Sequence, residues 1–430
     1  MKKILLLASV VFGTSLATAQ KFDQRTSLWA KSDKVQQNKQ ILSAPSSSHG
    51  LVTDIKSGYS NFYLVFKSQE STPTDLLNFT FTCTQHAVTT HNLNHSAIEN
   101  IDLKRKTGAI VKYGFNYPNA SGDKNYVTII DNPNDLTDVY EVIYINEEFS
   151  ELDHQQIQTY LSLKYGISLI EPGNYVDANG KSIWNKFLNP NYNKFITGLG
   201  KSDYFSLNKT QTINSLDNRI ELETNSFDNN DYLMIGTNNQ NLNFKNENGY
   251  EILDSSWLVQ ISGGSKLATL KFNLGLNLHN EGVYELLINQ KDNDFRNNEN
   301  VVRVEGRKVG NQLVFENVYF DNDDNGFDTF TIGYSAKTST EAKPVIVSRV
   351  NVNAYPNPAS LNEDVIVDYE FDKPTNLKIH VFTVDGKFIG KEEQNNVEKY
   401  QFKQKFTSSG VYLIVSTYEG QLSTNRIIVK

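Results

Sequence analysis

Short runs in which apolar and polar residues alternate are the feature that most limits what this chain can fold into. The clearest run covers residues 267–274, where Ala268, Leu270, Phe272 and Leu274 occupy every second position. A period of two puts these side chains on one face of a β-strand, whereas a helix needs a period near 3.6. Similar runs recur along the chain, in which Phe (24) and Tyr (22) are frequent and Met (2) is rare. The sequence therefore predicts a mainly β protein.

One segment breaks this pattern and predicts an α-helix. Ser150 is suited to the N-cap position, and Asp153 follows three residues later as its partner in a capping box. From Ile157 onward, apolar residues recur every four positions, and Gly166 supplies a left-handed stop. We expect a single helix between these two caps.

Changes in pattern divide the 430 residues into several parts. Ordinary domain sizes allow about three domains in this length. The segment SAKTSTEAK, which begins at Ser335, is small and polar without apolar periodicity, so we interpret it as a linker. The predicted parts are a signal peptide (1–19), a first β domain (20–170), a β-rich module that ends in a β-sandwich (171–334), the linker (335–349) and a final β-sandwich (350–430).

The first residues have the organisation of a secretory signal peptide. Two lysines are followed by the apolar run 4–11, and Ala17 and Ala19 form an A-x-A cleavage pattern, so that the mature chain begins at Gln20. The apolar run is too short to cross a bilayer, and no later run is long and apolar enough to do so. The sequence therefore predicts an exported protein without a transmembrane segment.

Charge and cysteine content exclude two further possibilities. The formal net charge is -8 and no basic cluster offsets it, so a nucleic acid is excluded as a partner. Cys83 is the only cysteine, which leaves no partner for an intrachain disulfide. Stability must therefore come from burial of apolar surface, with or without bound ions.

The final segment combines a sandwich pattern with a set of short motifs. The motif residues, in chain order, are Tyr355, Pro356, Asn357, Pro358, Asp385, Gly386, Gly410, Tyr412 and the final Lys430. Asp385-Gly386 lies between two apolar runs and predicts a hairpin turn. In this order, behind a linker and paired with a signal peptide, the motifs resemble the type A sorting domain of type IX secretion cargo in the Bacteroidetes. An ordinary immunoglobulin-like domain is the structural alternative.

This resemblance implies a fold, a route and two partners. The domain would be an immunoglobulin-like β-sandwich that binds the outer-membrane shuttle and the translocon. The protein would pass transiently through the periplasm and reach the outer surface of the outer membrane or the medium. In such cargo the sorting domain is usually removed near the linker.

Two other parts of the chain are similar to known surface proteins. Residues 28–33 (LWAKSD) resemble the opening of concanavalin-A-like, or laminin-G-like, jelly rolls. Residues 138–169, which include YLSLKYGI (160–167), resemble their closing strand and helix. The resemblance implies a jelly-roll-like fold for the first domain. Residues 175–236 and 257–334 are similar to a β-rich module that accompanies these jelly rolls in flavobacterial surface proteins. That likeness implies no activity.

One loop has the residue pattern of a calcium site. Asp321, Asp323 and Asn325 place oxygen ligands at alternate positions, and Asp328 follows beyond Gly326. The twelfth position is apolar, so the loop is not an EF-hand. A polar hairpin tip is the alternative, since turns favour the same residues. Calcium is the one cofactor that the sequence suggests.

Other candidate chemistry has a simpler structural explanation. His86, His91 and His95 lie near Cys83, but we interpret them as solvated loop residues because no helix or fixed geometry supports zinc. The segment GLGKS (198–202) ends like a phosphate-binding loop without the strand-loop-helix context, so we predict a β-turn. The three tryptophans are assigned to sandwich cores rather than to sugar platforms. No nucleophile motif is present.

These observations favour a function without catalysis. We interpret the chain as an exported surface protein with a binding or adhesion role, for example toward glycans or in gliding. A secreted polysaccharide hydrolase is the second hypothesis, because two carboxylates suffice for that chemistry and no motif search excludes them. A structural component of a surface complex is the third.

Overall fold

The computed structural model describes most of the chain. The described residues are 21–31, 34–36, 39–41, 51–55, 58–81, 85–90, 108–117, 125–129, 136–169, 174–225, 227–247, 250–264, 266–276, 278–296, 301–321, 323–336, 351–384, 387–419 and 421–430. Strands dominate these ranges, as the alternating pattern predicts. One α-helix and two short 3-10 helices, Phe22–Gln24 and Pro190–Tyr192, complete the described secondary structure.

The first part of the chain forms two four-stranded antiparallel sheets and a short hairpin. The strands are β1 (Leu28–Lys31), β2 (Lys34–Gln36), β3 (Lys39–Ile41), β4 (Leu51–Asp54), β5 (Gly58–Ser68), β6 (Asp75–Thr80), β7 (Gln85–Thr89), β8 (Ala109–Tyr117), β9 (Tyr126–Ile129) and β10 (Thr137–Ile145). One sheet has the order β1-β10-β5-β8 and the other β4-β9-β6-β7, while β2 pairs with β3. Whether this arrangement is a jelly roll stays a prediction.

Strand β5 is buried on both of its faces. Phe62 and Leu64 pack in the core that also contains Phe79 of the other four-stranded sheet. Tyr63 and Val65 point the opposite way and join a second core that includes the α-helix. Because both faces are covered, the strand has a nearly continuous apolar sequence instead of a strict alternation.

The α-helix begins and ends where the sequence predicts. Helix α1 (Glu151–Tyr165) has Ser150 as its N-cap, with the reciprocal hydrogen bonds of a capping box to Asp153. Gly166 terminates it at a φ of 64°, a left-handed conformation that favours glycine. The helix packs in a core shared by the first β domain and the following module, so its buried face joins the two parts.

The middle of the chain forms a second sandwich. Its strands are β11 (Tyr175–Val176), β12 (Ser182–Trp184), β13 (Lys194–Ser202), β14 (Leu207–Lys209), β15 (Gln211–Ile213), β16 (Ile220–Glu223), β17 (Tyr232–Thr237), β18 (Phe244–Glu247), β19 (Tyr250–Leu253), β20 (Trp257–Ser262), β21 (Leu267–Phe272), β22 (Val283–Asn289), β23 (Val301–Val309), β24 (Gln312–Tyr319) and β25 (Phe327–Ser335). One sheet contains β13, β17, β20, β25 and β22 side by side, and the other contains β15, β16, β21 and β24. Strand β23 pairs with β22 through its first part and with β24 through its last residues, so it connects the two sheets.

The predicted face of residues 267–274 is confirmed. Ala268, Leu270, Phe272 and Leu274 are all buried in the core between the two sheets. Trp257 and Trp184 are 2% and 0% exposed, so both are core residues as predicted.

The prediction of a β-turn at residues 198–202 is wrong. These residues lie inside β13, paired with β17. The two glycines permit a close approach between the strands. A Cβ atom added to Gly198 would lie 2.4 Å from Met234 Sδ, and one added to Gly200 would lie 2.2 Å from Tyr232 Cδ1. The two glycines in this segment are therefore explained by close packing between strands and not by a turn.

The last part is a five-stranded β structure with its own core. Its strands are β26 (Asn351–Tyr355), β27 (Asp364–Thr383), β28 (Phe388–Lys405), β29 (Gly410–Tyr418) and β30 (Gln421–Val429). The long β27 pairs with β26 and β28 in its first half and with β28 and β29 in its second half. Its inward residues Val365, Val367, Tyr369 and Phe371 are buried together. The predicted linker lies mostly outside the described residues.

The last domain packs against the middle sandwich through a small apolar contact. Leu267 and Tyr319 of the middle sandwich cluster with Phe382, Leu413 and Val415 of the last domain. A polar contact flanks it, because Lys391 of the last domain forms an ion pair with Asp324 of the middle sandwich (Nζ to Oδ2, 2.8 Å). The two domains therefore share an interface in this structure.

Candidate functional sites

A buried carboxylate, Glu141, lies between β10 and α1. Its side chain is 0% exposed. Oε1 accepts hydrogen bonds from Trp29 Nε1 (2.5 Å) and Tyr160 Oη (2.9 Å). Oε2 accepts hydrogen bonds from Lys164 Nζ (2.7 Å) and Tyr165 Oη (2.7 Å). All four donors come from residues 28–33 and 160–167.

This network is suited to holding the helix on the sheet rather than to catalysis. Both oxygens of Glu141 accept two hydrogen bonds, and its burial leaves no path for a substrate. Sequence reasoning did not single out Glu141. The available signal was an acidic residue inside the otherwise apolar run of β10, since a buried charge needs partners.

A groove of about 390 Å³, here called the aromatic groove, opens on the middle sandwich. It is lined by Leu242, Asn243, Phe244, Glu251, Leu276, Leu278, His279 and Tyr284. Its floor is set by strand register, because Glu251 and Tyr284 both lie opposite Tyr334 on β25. The groove therefore combines apolar and aromatic side chains with a carboxylate and an amide.

Aromatic rings are stacked at one wall of this groove. The exposed His279 lies parallel to Tyr334, with ring centroids 4.5 Å apart and an angle of 14° between the planes. Tyr284 contacts the same Tyr334 at 4.8 Å, and its hydroxyl accepts a hydrogen bond from the His279 N–H (2.8 Å). Burial raises the pKa of Tyr284, so its hydroxyl is neutral. The wall is thus held in place by backbone and ring contacts.

A second cleft, the polar cleft, has a similar volume of about 390 Å³ and a charged lining. On its floor, Lys271 Nζ contacts Glu221 Oε1 (3.1 Å) and Glu223 Oε1 (2.6 Å). Partial burial opposes ionisation of Glu221, but hydrogen bonds from Gln211 and Lys271 outweigh it and lower the pKa of Glu221. This carboxyl group is therefore ionised and unsuited to act as a general acid at neutral pH.

A lysine from a distant part of the chain, Lys266, lies against the predicted calcium loop. Lys266 Nζ contacts Asp321 Oδ2 (2.8 Å) and Asp324 Oδ1 (2.5 Å), and it donates a hydrogen bond to the Asp321 carbonyl (2.8 Å). Asp321 and Asp328 are buried, whereas Asp323 and Asn325 are exposed and hydrogen-bonded to each other. The four predicted ligands are therefore divided into a buried pair and an exposed pair.

The ammonium group of Lys266 thus supplies this loop with a positive charge from the chain itself. Among the described residues, no group of three or more His, Cys, Asp or Glu side chains is arranged to hold a metal ion. Burial, with smaller contributions from Asp323 and Asp321, raises the pKa of Asp328 to about 7. Calcium binding remains a prediction, and the ammonium of Lys266 is an alternative that neutralises Asp321.

The first sorting motif, residues 355–358, contacts the last strand of the last domain. Asn357 Nδ2 donates a hydrogen bond to the Arg426 carbonyl (2.7 Å), and Asn357 Oδ1 accepts one from the Ile428 N–H (2.9 Å). The flanking Tyr355–Pro356 and Asn357–Pro358 peptide bonds are cis. The motif therefore binds the strand that ends the domain.

The other motif residues lie around the same fold. Tyr355 is 43% exposed and donates a hydrogen bond to Asp368 Oδ2 (2.6 Å), while the Lys430 N–H donates to the Ala359 carbonyl (2.9 Å). Gly410 begins β29, where Tyr412 stacks on Phe406. The predicted turn Asp385-Gly386 lies outside the described residues.

Several other predicted sites cannot be placed. The cleavage residues Ala17, Ala19 and Gln20 lie outside the described residues, as do Cys83, His91 and His95. His86 lies on β7. Within the part of the chain that the structure covers, no helix has the length and apolar character needed to cross a membrane.

Comparisons with known families match two segments of the chain. Residues 353–430 match a family described as "Secretion system C-terminal sorting domain". The last domain is therefore a sorting domain, and the protein is exported cargo of the type IX secretion system. Its sorting domain implies recognition by that machinery and delivery to the cell surface or beyond. Residues 153–324 match a family described as "Domain of unknown function (DUF8202)".

Other comparisons give no functional information. No curated protein matches the chain. A polysaccharide lyase structure is 10% identical, with 52% of this chain and 37% of that chain covered and a TM-score of 0.23. A β-glucuronidase from Parabacteroides merdae is 10% identical (39% and 29% covered, TM-score 0.16), and a superoxide reductase from Ignicoccus hospitalis is 12% identical (19% and 80% covered, TM-score 0.16). Likenesses at these TM-scores support no conclusion about the fold or the function of this chain.

Proposed function

We propose that this cargo protein is a non-enzymatic binding protein of the cell surface and that its aromatic groove binds a carbohydrate. The observation that carries the proposal is the groove itself. It offers aromatic rings at His279 and Phe244 beside the oxygen-bearing side chains of Asn243 and Glu251. Such a combination suits a sugar, whose C–H faces pack on rings while its hydroxyl groups hydrogen-bond to carboxylates and amides.

The fixed geometry of the groove supports binding by a rigid site. The His279 ring is stacked on Tyr334, and its backbone N–H is bound to Tyr284. A ligand that enters therefore has few side chains to order, which lowers the entropic cost of association. A groove of about 390 Å³ also falls within the range of known ligand sites.

The arrangement of carboxylates favours binding over hydrolysis. A glycosidase needs two carboxyl groups on either side of the bond, one of them able to donate a proton. Glu251 is the one acidic residue among the described residues that line the groove. Beside the polar cleft, Glu221 and Glu223 both contact Lys271. Partial burial opposes ionisation of Glu221, but hydrogen bonds from Gln211 and Lys271 lower its pKa, so this carboxyl group is ionised. The hydrolase and the structural component remain the competing hypotheses.

A glycan-binding screen on the purified chain from Gln20 onward tests this proposal. For a glycan that binds, His279→Ala and Phe244→Ala should each weaken the affinity about tenfold, because each removes a ring from the groove wall. Arg307→Ala in the polar cleft is the matched control, since Arg307 pairs with Glu316 at the surface away from the aromatic rings.

Each competing hypothesis has its own signature in the same experiment. Release of reducing ends from a polysaccharide, lost on Glu221→Gln or Glu223→Gln, would establish the hydrolase instead. Affinity that survives both groove variants would place the binding site elsewhere. The absence of binding to any glycan, with co-purification of surface proteins from the host, would favour the structural component.

A further inference from the structure

Two large apolar side chains are presented to solvent by the loop that follows β12. Phe187 is 75% exposed and Leu188 is 77% exposed, which makes them the most exposed of the large apolar side chains among the described residues. The preceding Trp184 is fully buried. Adjacent exposed apolar residues of this size mark a surface where a protein contacts another apolar phase.

The loop that carries these side chains is tightly held. Asn185 Oδ1 accepts hydrogen bonds from the N–H groups of Phe187 (2.9 Å) and Leu188 (3.2 Å). Gln260 Oε1 on β20 accepts hydrogen bonds from Asn185 N–H (3.3 Å) and Asn189 Nδ2 (2.8 Å). The exposed side chains therefore project from a fixed base and not from a loose segment.

A third apolar residue stands on the same side of the sheet. Phe327 on β25 lies directly opposite Gln260 in the strand register, and it is 45% exposed. Directly opposite residues in an antiparallel pair share one face of the sheet. Phe327 thus extends the apolar surface beside the loop.

The charge around this loop is positive although the whole chain is acidic. Residues 178–200 contain three lysines and no Asp or Glu, while the next lysine, Lys201, lies 4.0 Å from Asp203 Oδ1. Lys186 Nζ lies 4.9 Å from the centre of the Phe187 ring. Lys194 is close in space to Lys186, because the neighbouring Asn193 donates a hydrogen bond to the Lys186 carbonyl (2.7 Å).

The loop next to this surface does not offset the charge. Asn293 contacts Tyr192, which brings residues 291–296 to the same end of the module. That segment contains two basic and two acidic residues, and the pair Arg296 and Asp294 is joined by an ion pair (3.0 Å). The lysines beside the apolar residues therefore retain a local excess of positive charge.

We propose that Phe187 and Leu188, flanked by Lys186 and Lys194, form an anchor that inserts into a lipid surface with anionic headgroups. Aromatic and aliphatic side chains would enter the interfacial layer, while the lysines remain at the headgroups and contact phosphate. The charge selects this partner, since basic residues near a membrane are attracted to anionic lipids. The anchor is separate from the aromatic groove and does not depend on carbohydrate binding.

Vesicle co-sedimentation tests the anchor. The full chain from Gln20 onward is mixed with phosphatidylcholine vesicles, with and without phosphatidylglycerol. We expect binding to the anionic vesicles, and we expect the double variant Phe187→Ser/Leu188→Ser to bind at least about tenfold more weakly. Lys186→Gln/Lys194→Gln should bind more weakly at low salt and lose most of the salt dependence. Val309→Ser, another exposed apolar residue, is the matched control.

Two results would overturn the anchor. One is failure of the parent chain to bind anionic vesicles, or equal binding by the serine double variant. The other is a dimer of the parent in sedimentation that the same double variant abolishes, which would assign the surface to a second copy. Melting temperatures close to that of the parent are expected for all variants, because the changed side chains are exposed.

Discussion

Two buried carboxylates in this protein are held in opposite ways. Glu141, at the junction of β10 and α1, receives four hydrogen bonds, one of them from the ammonium of Lys164. Asp328, in the middle sandwich, accepts the Asp321 N–H through Oδ2, while its Oδ1 has no hydrogen-bond partner among the described residues. Both side chains are essentially inaccessible, with exposures of 0% and 1%.

The two sites differ in how far hydrogen bonds replace the water that is lost on burial. Four donors and a nearby cation compensate Glu141 for the loss of water. Asp328 lacks such compensation, and burial foremost raises its pKa to about 7. Glu141 thus joins the helix to the sheet through its four donors, whereas Asp328 changes its charge near neutral pH. Changes at both sites would test this contrast.

The largest effect is expected from Glu141→Gln. The variant keeps the shape of the side chain but leaves Lys164 without a counter-ion, and its amide group faces donors instead of acceptors. We expect the free energy of unfolding to fall by about 3–5 kcal/mol, as for other broken buried ion pairs. Urea denaturation measures the change.

Glu316→Gln is the control for this experiment. Glu316 forms an exposed ion pair with Arg307, so its loss should cost less than about 1 kcal/mol. If both variants lose equal stability, the buried network does not hold the helix on the sheet as described.

A smaller loss is expected from Lys266→Met. This change leaves the buried Asp321 without its ammonium partner, and we expect a loss of about 2–3 kcal/mol in the free energy of unfolding. Lys391→Met is the matched control, because Lys391 contacts the same Asp324 from the exposed side. Thermal melting of both variants at one pH gives the comparison.

The same experiment separates the lysine from calcium. If Lys266 is the charge that neutralises Asp321, the melting curves of the parent with calcium and with a chelator should coincide. If calcium binds the loop, the ion should raise the melting temperature of the parent but not of Asp321→Asn/Asp323→Asn, since binding to the folded state adds stability.

An effect of a different kind, visible as a pH dependence, is expected from Asp328→Asn. In the unfolded chain this carboxyl group ionises near its ordinary pKa of about 3.9, and in the folded protein near 7. Between these values the folded state binds one proton more than the unfolded state, so the contribution of Asp328 to stability falls as pH rises.

Asp328→Asn should remove this decline. The difference in stability between variant and parent should therefore shift in favour of the variant from pH 4 to pH 7 and then become constant. Melting temperatures across this range, compared with those of the exposed Asp294→Asn, check the prediction. A difference that does not change with pH would mean that Asp328 is ionised throughout.

Features that depend on neighbouring residues could be predicted from the sequence. The capping box of Ser150 and Asp153 and the left-handed Gly166 are local, and the structure confirms both ends of the helix. The inward face of residues 267–274 is likewise a matter of strand period. The order of the sorting motifs was also enough to predict the sorting domain, because the motifs can be recognised without knowledge of the structure.

Features that depend on distant residues could not be predicted. Glu141 becomes important because Trp29, 112 positions away, folds against it. Lys266 lies 55 positions before Asp321, so the loop sequence gives no sign of an internal cation. The turn predicted at the glycines of β13 is wrong for a related reason. Glycine is needed there because a side chain of the neighbouring strand lies close to each of them. The aromatic groove also depends on strand register, which the pattern alone does not fix.

The order of synthesis gives the Asn357 contact a further consequence. Asn357 stands near the start of the sorting domain, but both of its hydrogen-bond partners belong to β30, which the ribosome adds last among the described strands. A chain interrupted before residue 421 therefore has no strand for Asn357 to hold. We expect the assembled motif to exist only on chains that are translated through β30.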